Sequence, residues 1–327
     1  MLKHGGNLAE AALEFGIPLE RWLDLSTGIN PNGYPIPAIP AQLWQRLPLE
    51  NDGLIEAACA FYGCQFVLPT AGSQAALQAL PQLRAPCKVA MPHTMYQEHA
   101  QAWQRHGHTL SFFDDKPNQT AIAQADVILL CTPNNPTATQ FSPEYLLKLH
   151  AQLATRGGWL IVDEAFMDAT PSASIAAHAD LEGLFVLRSL GKFFGLAGAR
   201  VGFLLAPQHW LNKAQEIIGP WALTGASRFI ALQALSNAAW QASARIQLAA
   251  DSARLTDLLS KYGLVPAAKT TLFQFVLTPH AVEIQQALAL QGVWVRLFAE
   301  VPALRFGLPP ESAWDKLESA LNNIMLF

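Results

Sequence analysis

From about residue 53 onward, short runs of consecutive apolar residues alternate with longer segments whose apolar positions recur at helical spacing. The runs 88–91, 109–113, 127–131, 159–162, 184–187 and 201–205 are too short for helices and show little polar alternation. They predict strands buried on both faces. Between them, residues 53–63, 73–83, 95–106 and 142–156 predict helices. Strands separated by helices build a mainly parallel sheet flanked by helices, the α/β class. Ahead of this block, 8–15 predicts a short helix ended by Gly16 and Pro18. Residues 30–40 run extended, because proline blocks a helix and disfavours it one residue upstream. Further on, 230–259 is helical, either one helix or two broken near Trp240. Strands at 272–277, 293–297 and 303–307 then precede a final helix from Ser312. The expected organisation is an N-terminal arm (1–30), a large domain (31–225) and a smaller α+β domain (226–327).

Composition narrows the class. The 327 residues are 51% hydrophobic and only 14% charged, with a net charge of −4. No uncharged apolar run approaches a membrane span, and no basic block offers a surface to nucleic acid, so neither is an expected partner. The apolar excess is assigned to a large buried sheet and to the interface of a homodimer. Cys59, Cys64, Cys87 and Cys131 have neither CxxC spacing nor the density of a secreted scaffold, and they read as reduced thiols with no metal. The start lacks the apolar core of a signal peptide, which makes the cytoplasm the expected compartment.

The candidate chemistry centres on Lys192, in Ser189-Leu190-Gly191-Lys192-Phe193-Phe194-Gly195-Leu196-Ala197-Gly198-Ala199-Arg200. Most lysines are solvated surface residues. Here Phe193, Phe194 and Leu196 argue for burial, which lowers a lysine's pKa and makes its neutral, nucleophilic form accessible. An amine with a serine before it and an arginine eight positions after it is what pyridoxal 5′-phosphate (PLP) needs. The amine condenses with the cofactor's aldehyde, while Ser189 and Arg200 hold its phosphate, with Arg188 a weaker candidate. Asp163 ends the run 159–162, placing a carboxylate at the edge of the sheet where ligands bind. It is a candidate partner for the pyridine nitrogen, and its bland alternative is a loop cap. Gly72-Ser73-Gln74 leads into a helix whose N-terminus offers N–H groups to an anion, although Ser73 could simply cap it. Asn135 follows a strand and precedes Pro136, a bond that is a candidate for the cis isomer, and its amide is a candidate donor to the ring hydroxyl.

These segments, in this order, resemble the fold-type-I PLP enzymes of the aspartate aminotransferase superfamily. The resemblance implies that Tyr96 stacks on the ring. Within the superfamily the chain resembles the threonine-phosphate decarboxylases, with the histidinol-phosphate aminotransferases next. It does so in His4-Gly5-Gly6-Asn7, Asp24-Leu25-Ser26-Thr27-Gly28-Ile29-Asn30-Pro31, Cys131 to Thr137, Asp163 to Asp168, and the segments around Arg296 and Arg305. What this implies is α-decarboxylation of L-threonine O-3-phosphate, a step of cobalamin biosynthesis. Arg305 would take the carboxylate, Arg296 with His4 the phosphate, and Gly28 and Asn30 would lie beside the substrate. Amino transfer of the histidinol-phosphate type is the alternative, and a non-catalytic PLP-binding regulator a third reading. The chain departs from the family in three places. Phe166 stands where the aminotransferases carry tyrosine, Leu47 where Arg-Tyr-Pro is usual, and Ala138 where glycine follows Asn-Pro-Thr.

Overall fold

The computed structural model describes residues 5–298 and 300–324. The chain forms two compact units. One comprises Tyr34–Asn135 and Thr139–Gln241; the other takes the N-terminal segment up to Gly33, Pro136–Ala138 and everything from Ala242 onward. The boundary expected at 225/226 therefore falls after Gln241. The helix Gly225–Ser236 belongs with the larger unit because its buried face packs on the helix Leu54–Tyr62. Arg228 on that helix also grips the carboxylate of Asp52 at 2.6 and 2.7 Å.

Strands are numbered along the chain, with β1 (Leu23–Leu25) in the smaller unit. The larger unit holds β2 (Leu68–Ala71), β3 (Lys88–Pro92), β4 (Thr109–Phe113), β5 (Val127–Cys131), β6 (Trp159–Asp163), β7 (Leu184–Ser189) and β8 (Val201–Leu205). Their order is β2-β8-β7-β6-β5-β3-β4. The central strands β5, β6 and β8 are buried at every position, which is why their sequences read as unbroken apolar runs. β3 through β7 pair in parallel, whereas β8 runs antiparallel to both β7 and β2. β2 has Pro69 on the outermost strand, where a missing N–H costs no ladder bond. Because β5, β6 and β7 are parallel, their carboxyl ends line one edge of the sheet. Cys131 stands opposite Asp163 there, and Ser189 closes β7.

The long helical pattern resolves into two helices, Gly225–Ser236 and Ala238–Lys261. Asn237 makes the break, since its side chain accepts a hydrogen bond from Trp240 N at 3.0 Å and so caps the second helix. Among the described residues four helices escaped the pattern, Gln42–Gln45, Gln119–Gln124, Gln208–Ile218 and Ala281–Ala289. Among the described residues no helix is long and apolar enough to cross a membrane.

In the smaller unit, β9 (Ala268–Lys269), β10 (Phe273–Leu277), β11 (Val293–Phe298) and β12 (Ala303–Gly307) join β1 in the order β1-β11-β12-β10-β9. β1 pairs in parallel with β11, so the N-terminal segment is built into this sheet. The adjacent turn is tight. A side chain on Gly307 would meet the Thr27 carbonyl at 2.2 Å, and one on Gly5 would meet the Ser26 carbonyl at 2.3 Å. Only glycine fits at either place.

Candidate active site

The larger unit brings nine of the candidate residues onto one frame, most of them on or just beyond strand ends. Asp163, at the end of β6, is buried, and its Oδ2 lies 2.8 Å from Nε2 of His99, itself buried. The backbone N–H of Ala165 donates to the other carboxylate oxygen at 3.0 Å. Two partners therefore fix the plane of this carboxylate. His99 sits on the helix Glu98–Arg105, and no local spacing ties it to a residue 64 positions away, which is why sequence reasoning missed it. Cys131 completes a trio with His99 and Asp163 whose ligand atoms lie within 4.8 Å of one another, the one such group among the described residues. Burial, reinforced by the charge of Asp163, pushes the Cys131 thiol up, so it stays protonated.

Tyr96 precedes the helix rather than lying on it, since the helix begins at Glu98. Its ring stands edge-on to His99 with centroids 6.1 Å apart. Burial, then the charges of Glu98 and Asp163, push its phenol up to about 12, so the hydroxyl keeps its proton and donates to Gln74 Oε1 at 3.4 Å. Gln74 also donates to Glu98 at 3.2 Å.

An anion cradle forms where the helix Gly72–Ala79 starts. Arg200 precedes β8 and reaches over Gly72, so that a Cβ on Gly72 would lie 2.6 Å from Nη2 of Arg200. Gly202 lets the two segments approach, since a Cβ there would lie 2.1 Å from the Ser73 nitrogen. The start of a helix and a guanidinium thus lie side by side, the chemistry of a phosphate seat. Ser189 is half-buried nearby in sequence, its hydroxyl accepting from Gly191 N at 3.2 Å. Arg188, offered as a second phosphate ligand, does something else. It is fully buried between Glu164 and Asp168, and its guanidinium lies 4.5 Å from the Tyr62 ring centroid. Neighbours on a strand point to opposite faces, so Ser189 and Arg188 cannot share a ligand. Burial raises the pKa of Glu164, and the charge of Arg188 opposes that rise.

Lys192 follows β7 on a segment pinned from below. Phe193 and Phe194 are fully buried, and Phe194 stacks on Trp240 at 5.5 Å. The Lys192 ammonium lies 5.3 Å from the centroid of the Phe166 ring, the position where aminotransferases carry tyrosine. The loop after β5 contains a cis bond, at Thr132–Pro133 rather than at the expected Asn135–Pro136. Asn135 itself is half-buried on that loop. Next to it, Asn134 is anchored by donating to Thr94 O at 2.8 Å.

The remaining candidates belong to the smaller unit, except His4, which lies outside the described residues. Register places Arg296 on β11 directly opposite Arg305 on β12, so both side chains leave the same face of the sheet. Burial and the charge of Arg296 push Arg305 down to about 10, with Asp24 opposing; burial alone lowers Arg296. Arg305 also donates to the Ser26 carbonyl at 2.5 Å. That hydrogen bond joins it to the turn containing Gly28, and Asn30 closes the next turn by accepting from Asn32 N at 2.9 Å.

The residues of the larger unit fit PLP. A buried carboxylate with fixed orientation, a lysine and a glycine-lined anion cradle are its three anchors. Borohydride reduction of the yellow holoenzyme and subsequent peptide mapping are expected to find the cofactor fixed to Lys192, and an adduct on any other lysine would refute this placement.

Known proteins agree with this chemistry. Residues 47–324 match the profile of the family described as aminotransferase class I and II. A threonine-phosphate decarboxylase of Pseudomonas aeruginosa is 48% identical over 98% of this chain and 97% of its own. Another, from a Sinorhizobium species, is 38% identical over 96% and 95%. A histidinol-phosphate aminotransferase of Sinorhizobium meliloti, solved in complex with pyridoxal-5′-phosphate, superposes with a TM-score of 0.81. It covers 99% of this chain and 95% of its own at 19% identity, a likeness of fold.

Proposed function

The chain belongs to the aminotransferase class I and II family, and from that premise we propose that it decarboxylates L-threonine O-3-phosphate, releasing CO2 and (R)-1-amino-2-propanol O-2-phosphate. The cofactor is pyridoxal 5′-phosphate. When bound it supplies a protonated ring that withdraws electrons from the substrate's α-carbon. Asp163 holds the proton on the ring nitrogen, and His99 holds Asp163 in the plane where it can do so. Gly72, Ser73, Gln74, Ser189 and Arg200 bind the cofactor phosphate, Tyr96 stacks on the ring, and Asn135 donates to the ring hydroxyl. Lys192 would hold the cofactor through its amine, and Lys192 or water would return a proton to the α-carbon.

The observation that carries the substrate class is the cross-strand pair Arg296 and Arg305. Two guanidiniums held side by side, one buried, repel each other, and a ligand with two anionic groups relieves that repulsion. Arg305 takes the carboxylate, Arg296 with His4 the phosphate, and Gly28 and Asn30 line the turn beside Arg305. The reaction type rests on the near-full-length relatives and on Phe166, whose ring offers the cofactor no hydroxyl. Purified holoenzyme given L-threonine O-3-phosphate is expected to release CO2 stoichiometrically with the amino alcohol phosphate. Formation of a keto acid that depends on an amino acceptor, without CO2, would replace this reading with amino transfer.

The enzyme acts in the cytoplasm as a homodimer. Ile36, Trp44, Leu47 and Leu49 are 65–74% exposed along one stretch of chain, and Trp221 is half exposed. A second copy covering that apolar surface is the economical account of it. With Leu47 in place of tyrosine, the partner makes no phenol contact to the cofactor phosphate through this position. Light scattering is expected to give twice the 35.6 kDa of one chain. A fully active monomer at working concentration would contradict this.

A further inference from the structure

Arg200 adopts an unusual backbone. Its φ of 53° and ψ of 51° lie in the left-handed region, one of three such non-glycine residues among those described. An arginine does not stay there unaided, so the peptides on either side of it must be held. On the C-terminal side the Arg200 carbonyl accepts from Gly72 N at 2.9 Å, a bond internal to the anion cradle. On the N-terminal side the Ala199 carbonyl accepts from the Ser227 hydroxyl at 2.8 Å. Ser227 lies on the helix Gly225–Ser236, none of whose residues was assigned to the site.

The direction of that hydroxyl is itself fixed. Thr224, the residue capping this helix, donates from Oγ1 to Ser227 Oγ at 2.9 Å and accepts from Ser227 N at 3.0 Å. With a lone pair of Ser227 Oγ taken by Thr224, its proton is left for Ala199. The chain of bonds therefore runs from the capping threonine through Ser227 to the peptide that sets where the Arg200 side chain starts.

We propose that Ser227 is a positioning residue for the cofactor phosphate, acting through the Ala199–Arg200 peptide to hold the Arg200 guanidinium over the start of the helix Gly72–Ala79. This rests on the reading of Arg200 as a phosphate ligand. Because Ser227 would act through the Ala199–Arg200 peptide, its effect is expected to reach only ligands that carry the phosphate.

The test compares PLP with pyridoxal, which lacks the phosphate, by titrating each into apoenzyme and monitoring tryptophan fluorescence. Ser227→Ala is expected to weaken PLP about tenfold while leaving pyridoxal within about twofold of the parent. Ser227→Cys keeps the size of the side chain and replaces a strong donor by a weak one; it is expected to move in the same direction, and it decides the matter if the alanine variant does not fold. In an Arg200→Gln background, Ser227→Ala is expected to add less than about twofold. Equal weakening of PLP and pyridoxal, or an undiminished effect of Ser227→Ala without Arg200, would reduce Ser227 to a helix-capping role and overturn the proposal. If Arg200→Gln alone left the ratio of PLP to pyridoxal affinity unchanged, the phosphate reading of Arg200 would fail first. A shift in that ratio for Arg200→Gln but not for Ser227→Ala would defeat the positioning role of Ser227 alone.

Discussion

Asp163→Asn is expected to fold, bind PLP and lose turnover by roughly 10³-fold. Asparagine keeps the shape of the side chain and a hydrogen-bonding group for His99, which lies 2.8 Å from the carboxylate. What it removes is the negative charge proposed to keep a proton on the ring nitrogen. The phosphate cradle of Gly72 and Arg200 is untouched, so the loss belongs to the chemical step and appears in kcat. Asp163→Ala should lose as much turnover and be less stable by about 1–3 kcal/mol, because it also strands the buried His99 nitrogen. The two variants together separate charge from structure. Cofactor content is read from absorbance, turnover from CO2 release, and stability from thermal unfolding. An asparagine variant that kept more than about a tenth of the parent rate would mean that Asp163 does not face the ring nitrogen.

The parts of this molecule that could be read from its sequence are those whose physics is local. A strand buried on both faces must be apolar throughout, so β5, β6 and β8 announced themselves. β1 and β2 did not, being three and four residues long, with a proline in the second. The helix Gln208–Ile218 buries only Leu211 and Ala214, too thin a stripe to detect. Lys192, Ser189 and Arg200 could be proposed together because twelve consecutive residues contain them, and Asp163 because it ends a strand. His99 and Ser227 act across 64 and 28 positions, where a single sequence carries no signal of contact. Arg188 is the instructive case. Its nearness to Ser189 suggested a shared ligand, yet the alternation of a strand alone puts the two on opposite faces. There Arg188 meets Glu164, the residue after the end of β6.

Arg305→Gln is expected to lower kcat/KM for every amino-acid substrate by roughly 10²–10³-fold, whether or not the substrate is phosphorylated. Arg305 is the buried member of the pair, so a carboxylate bound there would be stripped of water, and solvent could not replace the lost guanidinium. Arg296 is only half-buried, and Arg296→Ala should instead erode selectivity. Its clearest sign would be a fall of about tenfold or more in the preference for threonine phosphate over threonine, with threonine itself little affected. Inorganic phosphate offers an independent measure, since it should compete with substrate in the parent and less in Arg296→Ala. Removing either charge also relieves their mutual repulsion, which adds to burial in lowering Arg305, so neither variant owes its defect to a new electrostatic strain. The two arginines stand opposite each other on β11 and β12, and a difference in what they recognise therefore comes from burial and reach rather than from place along the sheet. If Arg296→Ala kept the full preference for the phosphorylated substrate, the phosphate would be read elsewhere, and His4 and Asn7 would be the residues to change next.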